Sequence, residues 1–179
     1  RVVDDVSFSV QEKDFICIVG PSGCGKTTLM NIIAGFVQPT AGRVTLDNRP
    51  IAGPGRDRGV IFQEYGVFPW LTVEQNIMFG LRLRSSKVPA AQHAQICRRY
   101  LDLMGLGDFA RAFPKTLSGG MRQRLAIARA YAAQPEFLLM DEPFGALDAQ
   151  TRSKMQNLLL DVLDREGKTV VMITHSVDE

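Results

Sequence analysis

Short segments that are apolar at nearly every position predict strands covered on both faces. They are Gly59 to Phe62, Phe137 to Met140 and Thr169 to Ile173, and Phe15 to Val19 is a further apolar run. A parallel sheet lies between two layers of helices, so its strands carry apolar side chains on both sides. The pattern therefore predicts an α/β fold with a mostly parallel core sheet.

Two other segments alternate apolar and polar residues. Val2 to Val10 and Arg43 to Leu46 follow this period in part. An alternating strand has one buried and one solvated face, which is typical of antiparallel sheets. We expect these two segments to form a small antiparallel β subdomain.

Helical spacing dominates the middle of the chain. It predicts helices over Val73 to Leu83 and Ala90 to Met104, with a short helix near Phe109. A chain of 179 residues suits one domain with a subdomain better than two independent domains. We expect a single domain over 1–179, in which about 64–117 forms an inserted helical subdomain and 1–62 with 119–179 forms the core.

A glycine-rich segment follows the first apolar run and fits the pattern G-x-x-x-x-G-K-[ST]. Glycines let backbone N–H groups turn inward around a phosphate, and the N-terminus of the following helix attracts the same anion. The lysine adds a charge for the terminal phosphates, and the hydroxyl after it can bind Mg²⁺. We predict a nucleotide phosphate site formed by Gly20, Pro21, Ser22, Gly23, Cys24, Gly25, Lys26, Thr27 and Thr28.

Two adjacent carboxylates end the apolar run at Phe137. Asp141 comes at the carboxyl end of a predicted parallel strand, where open sheets bind their ligands, so it can hold Mg²⁺ beside Thr27. Glu142 points elsewhere and is the candidate to deprotonate an attacking water. A solvated acidic pair at a strand end is the alternative, which the neighbouring phosphate loop disfavours.

Composition excludes several classes of protein. The net charge is +2 and 22% of the residues are charged, as on an ordinary protein surface. The sequence contains no basic tract that would follow a nucleic-acid backbone. No apolar run reaches the roughly 20 residues that a membrane span needs. Three cysteines without paired spacing, Cys17, Cys24 and Cys97, indicate free thiols in a reducing compartment.

A second glycine motif, Leu117-Ser-Gly-Gly, opens a predicted helix. By itself it could be a serine cap with a flexible entry. It resembles the signature motif of the ABC ATPases, and the whole chain is similar to that family in the order of its motifs. The order is phosphate loop, Gln63, signature, Asp141-Glu142, Asp148 and His175.

This resemblance implies a P-loop NTPase fold with a RecA-like core, and ATP with Mg²⁺ as cofactors. Two nucleotide-binding subunits would stack head to tail, so that Ser118, Gly119 and Gly120 of one copy close over the ATP of the other. Gln63 would sense Mg²⁺ and water, and Asp148 would lie at the dimer seam. His175 would contact the γ-phosphate and hold the attacking water with Glu142.

The segments around Gln63 and Trp70 resemble the ATPase subunits of bacterial importers for nitrate, taurine and aliphatic sulfonates. That branch implies a permease partner, an external solute-binding protein and a peripheral place on the cytoplasmic side of the inner membrane. The exposed run Phe68 to Leu71 is a candidate wall for a permease helix. A buried core turn around Trp70 is the alternative.

Two other functions would account for part of these motifs. A soluble ABC ATPase acting on DNA or ribosomes would usually carry a second cassette or long coiled-coil insertions. A phosphate-loop kinase would explain Lys26 and Asp141 but not Ser118 or His175. Compared with the family pattern, the chain is expected to be truncated at both ends, with the adenine-stacking aromatic upstream of Arg1.

Overall fold

The computed structural model describes residues 2–83, 86 and 88–175. Within them the strands are β1 Phe15–Val19, β2 Thr45–Leu46, β3 Arg49–Pro50, β4 Arg58–Ile61, β5 Phe137–Asp141 and β6 Thr169–Thr174. The α-helices are α1 Lys26–Ala34, α2 Val73–Phe79, α3 Ala90–Leu103, α4 Gly119–Ala132 and α5 Ala149–Glu166. Single 3₁₀ turns cover Gly80–Arg82, Gly107–Phe109 and Pro114–Thr116.

The apolar runs form one parallel sheet, as the sequence predicts. Its strand order is β1-β6-β5-β4, and every neighbouring pair is parallel. Alternate residues of β5 enter opposite layers: Leu138 and Met140 pack with α4 and α5, whereas Phe137 and Leu139 pack with α1. The sheet is therefore covered on both faces at its centre.

The edge strand β1 is less buried than its apolar sequence suggests. Phe15 and Val19 keep 44% and 45% of their surface exposed, and the pattern along the strand alternates. A strand at the edge of a sheet has a neighbour on one side only, and here one face also lacks a helical cover among the described residues. The expectation of a buried strand at this position is wrong.

The small antiparallel sheet exists but has other members than expected. It is the hairpin of β2 and β3, joined by Asp47 and Asn48, which both have positive φ. Such a pair makes the type I′ turn that matches the twist of a hairpin. Residues 2–10 contain no strand, so the prediction of a strand over Val2 to Val10 is wrong. Their alternation lacks the paired partner that a strand requires.

The middle of the chain forms the expected helices. Helix α2 begins at a capping box, in which Thr72 and Gln75 each bond the other's backbone N–H. Buried residues of α2 and α3 belong to the same apolar cluster as α4 and β5. The helical segment thus shares one core with the sheet. None of the described helices is long and apolar enough to cross a membrane.

Helices α4 and α5 each begin at an oxygen-bearing side chain. Ser118 caps α4 by accepting a bond from Met121 N at 3.3 Å, and Asp148 caps α5 by accepting one from Thr151 N at 3.0 Å. Oxygen side chains at this position satisfy backbone donors that the helix leaves free. The helix at α5 was not predicted, although its cap and its terminal Gly167 are both helix signals.

Candidate active site

The phosphate loop wraps around the ammonium group of Lys26. Its Nζ donates hydrogen bonds to the carbonyl oxygens of Gly20 at 2.7 Å and Pro21 at 2.8 Å. The side chain is buried, and only 8% of the residue is exposed. Because both oxygen partners are neutral carbonyls, the positive charge of Lys26 remains available to an anion in the loop.

Helix α1 starts directly at this loop. Gly25 precedes its first residue with φ 101°, a conformation that L side chains rarely adopt. A β-carbon at Gly25 would lie 2.8 Å from the carbonyl oxygen of Val2, so the position is also too tight for alanine. Glycine thus lets the chain turn into α1 so that the free N–H groups of the helix face the loop.

Thr27 and Asp141 meet beside the loop and form a donor set suited to Mg²⁺. The Thr27 hydroxyl lies 3.4 Å from Oδ1 of Asp141, which ends the central strand β5. The described residues hold no group of three or more His, Cys, Asp or Glu that could bind a metal alone. Magnesium needs no such group, since one or two carboxylates and the substrate phosphates suffice. The residues present therefore fit the ion.

Burial raises the pKa of the Asp141 carboxyl above its ordinary value, and the neighbouring Glu142 raises it further. The Thr27 hydroxyl and the Lys26 ammonium act in the opposite direction. A buried carboxylate of this kind gains from a nearby cation. The electrostatics therefore agree with the donor set in favouring a divalent ion.

Glu142 receives two polar side chains on one oxygen. Gln63 Nε2 donates to Oε2 of Glu142 at 3.1 Å, and Nδ1 of His175 lies 3.2 Å from the same atom. The backbone holds the residue in place, because Glu142 N donates to Ile173 O at 2.8 Å. Glu142 has φ 43°, a value uncommon for a residue with a side chain. Such strain is found most often at functional positions.

A cavity of about 210 Å³ lies between the loop and Glu142. Whole-ligand pockets usually measure about 300–1,000 Å³, so this cavity suits a phosphate chain better than a complete nucleotide. Gly20, Pro21, Cys24, Gln63 and His175 stand outside its lining but touch residues that form it. Its lining residues are Val2, Ser22, Gly23, Gly25, Lys26, Thr27, Thr28 and Glu142.

The structure does not bring the signature motif into this cavity. Ser118, Gly119 and Gly120 are absent from its lining, and so is Asp148. They form a separate cluster, where a β-carbon at Gly120 would lie 2.7 Å from Thr151 Cγ2 in the first turn of α5. Asp148 is fully exposed, and the backbone N–H of Thr151 lowers the pKa of its carboxyl. The predicted site residues thus fall into two groups.

The turn after Gln63 presents aromatic side chains at the surface. Trp70 is 69% exposed, which contradicts the buried-turn alternative. The Phe68 ring lies 5.5 Å from the Trp70 ring and 4.4 Å from the Phe79 ring, measured between centroids. An exposed aromatic cluster of this kind is typical of a contact surface.

Sequence reasoning missed Asn76, which shapes that turn. Its buried amide accepts from Phe68 N at 2.8 Å, and its Nδ2, which has two hydrogens, lies 3.0–3.1 Å from the carbonyl oxygens of Phe68, Leu71 and Thr72. A polar residue on the apolar face of α2, three positions after Val73, is the signal that could have found it.

The fold and site together define a phosphate-loop NTPase, with the loop after β1 and an acidic pair at the end of β5. The ABC transporter family model matches residues 3–145. The chain belongs to the ABC transporter family as an ATP-binding cassette that hydrolyses ATP.

Relatives match along the whole chain. A provisionally named ATP-binding protein of Brucella abortus (strain 2308) is 56% identical over 99% of this chain and 67% of its own length. A taurine import ATP-binding protein, TauB of Pseudomonas aeruginosa, is 49% identical over 99% and 67%, respectively. A nitrate import ATP-binding protein, NrtD of Synechococcus elongatus, is 46% identical over 99% and 65%. The chain thus spans about two thirds of the length of these relatives.

Solved structures agree with the fold. The chain is similar, with a TM-score of 0.84 and 34% identity, to the dimeric ATP-binding cassette MJ0796 in a post-hydrolysis state bound to ADP and Pi, covering 99% of this chain and 81% of that one. The cassette CbiO1 of Clostridium perfringens, part of an ABC transporter complex, gives a TM-score of 0.87 at 26% identity, with 99% and 73% covered. The predicted ABC ATPase fold is confirmed.

Proposed function

We propose that this cassette is the ATP-hydrolysing motor of an importer and that Glu142 is its catalytic base. The observation that carries the proposal is the convergence of Gln63 and His175 on Oε2 of Glu142, at the edge of the phosphate cavity. A carboxylate held by two polar neighbours beside a phosphate loop is placed to orient a water molecule and take its proton.

The reaction follows from this geometry. Lys26 and the loop N–H groups bind the phosphates, and Thr27 with Asp141 would hold Mg²⁺, which supplies charge neutralisation at the phosphate oxygens. Water attacks the γ-phosphorus, its proton passes to Glu142, and the bond to the ADP oxygen breaks. A positioned base contributes roughly 100- to 10,000-fold in rate, or about 3 to 5 kcal/mol. Gln63 and His175 hold the Glu142 carboxylate and the attacking water in the correct relative positions.

The second wall of the site comes from another copy of the chain. Ser118, Gly119 and Gly120 lie outside the cavity that Lys26 lines, which supports their engagement with a different phosphate site. The free end of helix α4 at Gly119 offers N–H groups to an anion. A solved relative of the chain is a dimer bound to ADP and Pi. We infer a head-to-tail dimer with Asp148 at its seam.

The aromatic turn is the proposed contact with a membrane permease. Trp70 and Phe79 are exposed and contact the partly buried Phe68. This turn comes a few residues after Gln63, which donates a hydrogen bond to Glu142, so a partner there would sit close to Gln63. The segment of about 64–117 would act as the helical subdomain that carries this contact. We infer a peripheral place on the cytoplasmic side of the membrane, together with an external solute-binding protein.

The solute is proposed from the relatives. Two of them are import proteins for taurine and nitrate, at 49% and 46% identity. Both solutes are small molecules with an anionic group, so we infer a nitrate, taurine or sulfonate-type anion. The cassette itself has no contact with the solute in this scheme.

Copurification and product analysis test the proposal. The intact protein, expressed with a candidate permease subunit, should copurify with that permease and release phosphate from ATP without a phosphorylated acceptor. Uptake of labelled taurine or nitrate should require both the cassette and the permease. A phosphorylated product would favour a kinase, and ATP hydrolysis with no permease association would favour a soluble ABC ATPase.

A further inference from the structure

The segment that carries Gln63 also contacts helix α4, the helix that begins at the signature motif, at two points. The guanidinium carbon of Arg122 lies 5.5 Å from the centroid of the Tyr65 ring, and that of Arg129 lies 4.8 Å from the centroid of the Phe68 ring. We call these four residues the aromatic clamp. An arginine over an aromatic face is attracted by the negative charge of the ring surface.

The two halves of the clamp share one face of α4. Arg122 and Arg129 are seven residues apart, which is close to two turns and about 10 Å of helix. Tyr65 and Phe68 are three residues apart, and each ring contacts one of the two arginines. Contacts at both ends fix the orientation of α4 about its axis as well as its position.

Tyr65 reaches the signature motif itself. A β-carbon at Gly119 would lie 3.3 Å from the Tyr65 hydroxyl oxygen, so the hydroxyl end of the ring lies beside the motif. Tyr65 has φ 61°, in the left-handed region that residues with bulky side chains rarely adopt. A tight turn maintains it, since Tyr65 N donates to Phe62 O at 3.1 Å. The fold thus tolerates strain to place this ring.

We propose that Tyr65 is a positioning residue that sets the orientation of Ser118 to Gly120 according to the position of Gln63. The inference rests on the proposed function of Gln63, Glu142 and the signature motif. Gln63 is bonded to Glu142, and Tyr65, two residues later, lies beside Gly119. A movement of Gln63 at the phosphate site of one copy therefore also moves the signature motif of that copy. In the proposed dimer, this motif closes the phosphate site of the second copy.

The test separates nucleotide binding from dimer formation. It uses the intact protein with the Glu142→Gln substitution, so that ATP is retained. Tyr65→Ala should raise the ATP concentration needed for half-maximal dimer formation about tenfold, while the affinity of the monomer for a fluorescent ATP analogue stays unchanged. Tyr65→Phe keeps the ring over Arg122 and loses only the hydroxyl beside Gly119, so its shift should be smaller than that of Tyr65→Ala.

A second variant covers the case in which Tyr65→Ala does not fold. Arg122→Ala removes the other half of the same contact and should give the same shift in dimer formation. Arg98→Ala, on the exposed face of α3, is its matched control and should leave dimer formation unchanged. In a double-mutant cycle, the Tyr65 and Arg122 effects should be less than additive.

Two outcomes overturn the inference. Dimer formation at the parent ATP concentration in both Tyr65→Ala and Arg122→Ala shows that the clamp does not orient the motif. An equal loss of monomer nucleotide affinity shows that Tyr65 acts on its own phosphate site instead. Failure of the parent protein to bind ATP is a different result, since it contradicts the proposed function and not the clamp alone.

Discussion

His175 Nδ1 lies 3.2 Å from Oε2 of Glu142, although the two residues are far apart in the chain. The parallel pairing of β5 with β6 explains the distance, because Asp141 is in register with Ile173. Each strand continues by one or two residues past its last pairing, and both continuations reach the same edge of the sheet. A residue after one strand thus meets a residue after the next.

The first prediction concerns the proposed base. Glu142→Gln keeps the size of the side chain but replaces one carboxylate oxygen with an amide nitrogen, so the side chain can no longer take a proton from water. We expect ATP binding to be retained and turnover to fall by roughly 100- to 10,000-fold. Phosphate release and nucleotide binding, measured on the same preparation, check this.

The matched control for that variant is Glu136→Gln. Glu136 is partly exposed and pairs only loosely with Arg49, at 3.8 Å. Hydrolysis should stay at the parent rate. Turnover within a factor of two of the parent in Glu142→Gln would remove the residue from the mechanism.

Much of this site could be predicted from the sequence, because its motifs depend on local chemistry. The phosphate loop follows the carboxyl end of one apolar run and Asp141 ends another, and parallel strands bring such ends to one edge. The contact between Gln63 and Glu142 needed the strand order, which no local pattern contains. Tyr65 and Asn76 were missed since their partners lie elsewhere in the fold.

The wrong predictions share a physical cause. Val2 to Val10 alternates as a strand should, and Phe15 to Val19 is apolar as a buried strand should be. Periodicity reports which faces of a segment could be buried, but pairing and cover depend on neighbours far along the chain. Among the described residues, the first segment has no paired strand, and the second is at the sheet edge.

The second prediction concerns the exposed aromatic turn. Trp70→Ala should lower permease-dependent transport while leaving basal ATP hydrolysis at the parent rate. Trp70 is largely exposed and its ring contact with Phe68 is a single tilted pair, so the free energy of unfolding should change by at most about 1 kcal/mol. Solute uptake, phosphate release and denaturant unfolding measure the three quantities.

Leu160→Ala on α5 is the control for Trp70→Ala, because Leu160 is also an exposed large apolar residue, at 59%. It should leave uptake unchanged. If both variants reduce uptake equally, the effect of Trp70 is not specific to the proposed permease contact.

The third prediction concerns Asn76, which supports the same turn from inside. Asn76→Ala removes the side-chain partner of the Phe68 N–H and of the Leu71 carbonyl. The carbonyl oxygens of Phe68 and Thr72 lose their bond from the amide but keep those from Leu71 N and Asn76 N. We expect the free energy of unfolding to fall by on the order of 3 kcal/mol. Denaturant unfolding checks the value, and the exposed Asn157→Ala on α5 should change it by less than about 0.5 kcal/mol.

The last prediction uses the buried thiol of Cys97, which contacts the Glu74 carbonyl oxygen at 3.8 Å. Burial, with a smaller contribution from the Glu74 charge, raises the pKa of Cys97 from 9.0 to about 11. At pH 8 a thiol reagent should therefore modify the exposed Cys17 and Cys24 in the folded protein, and Cys97 only after unfolding.

The same raised pKa makes stability depend on pH in the alkaline range. Below pH 9 the Cys97 thiol is neutral in both the folded and the unfolded chain, so its contribution to stability is complete. Between pH 9 and about 11 the unfolded chain loses the proton first, so this contribution declines as the pH rises. Cys97→Ala should remove that part of the alkaline decline in the unfolding midpoint. An identical decline with and without the thiol, measured against Cys17→Ala, would show that other groups cause it.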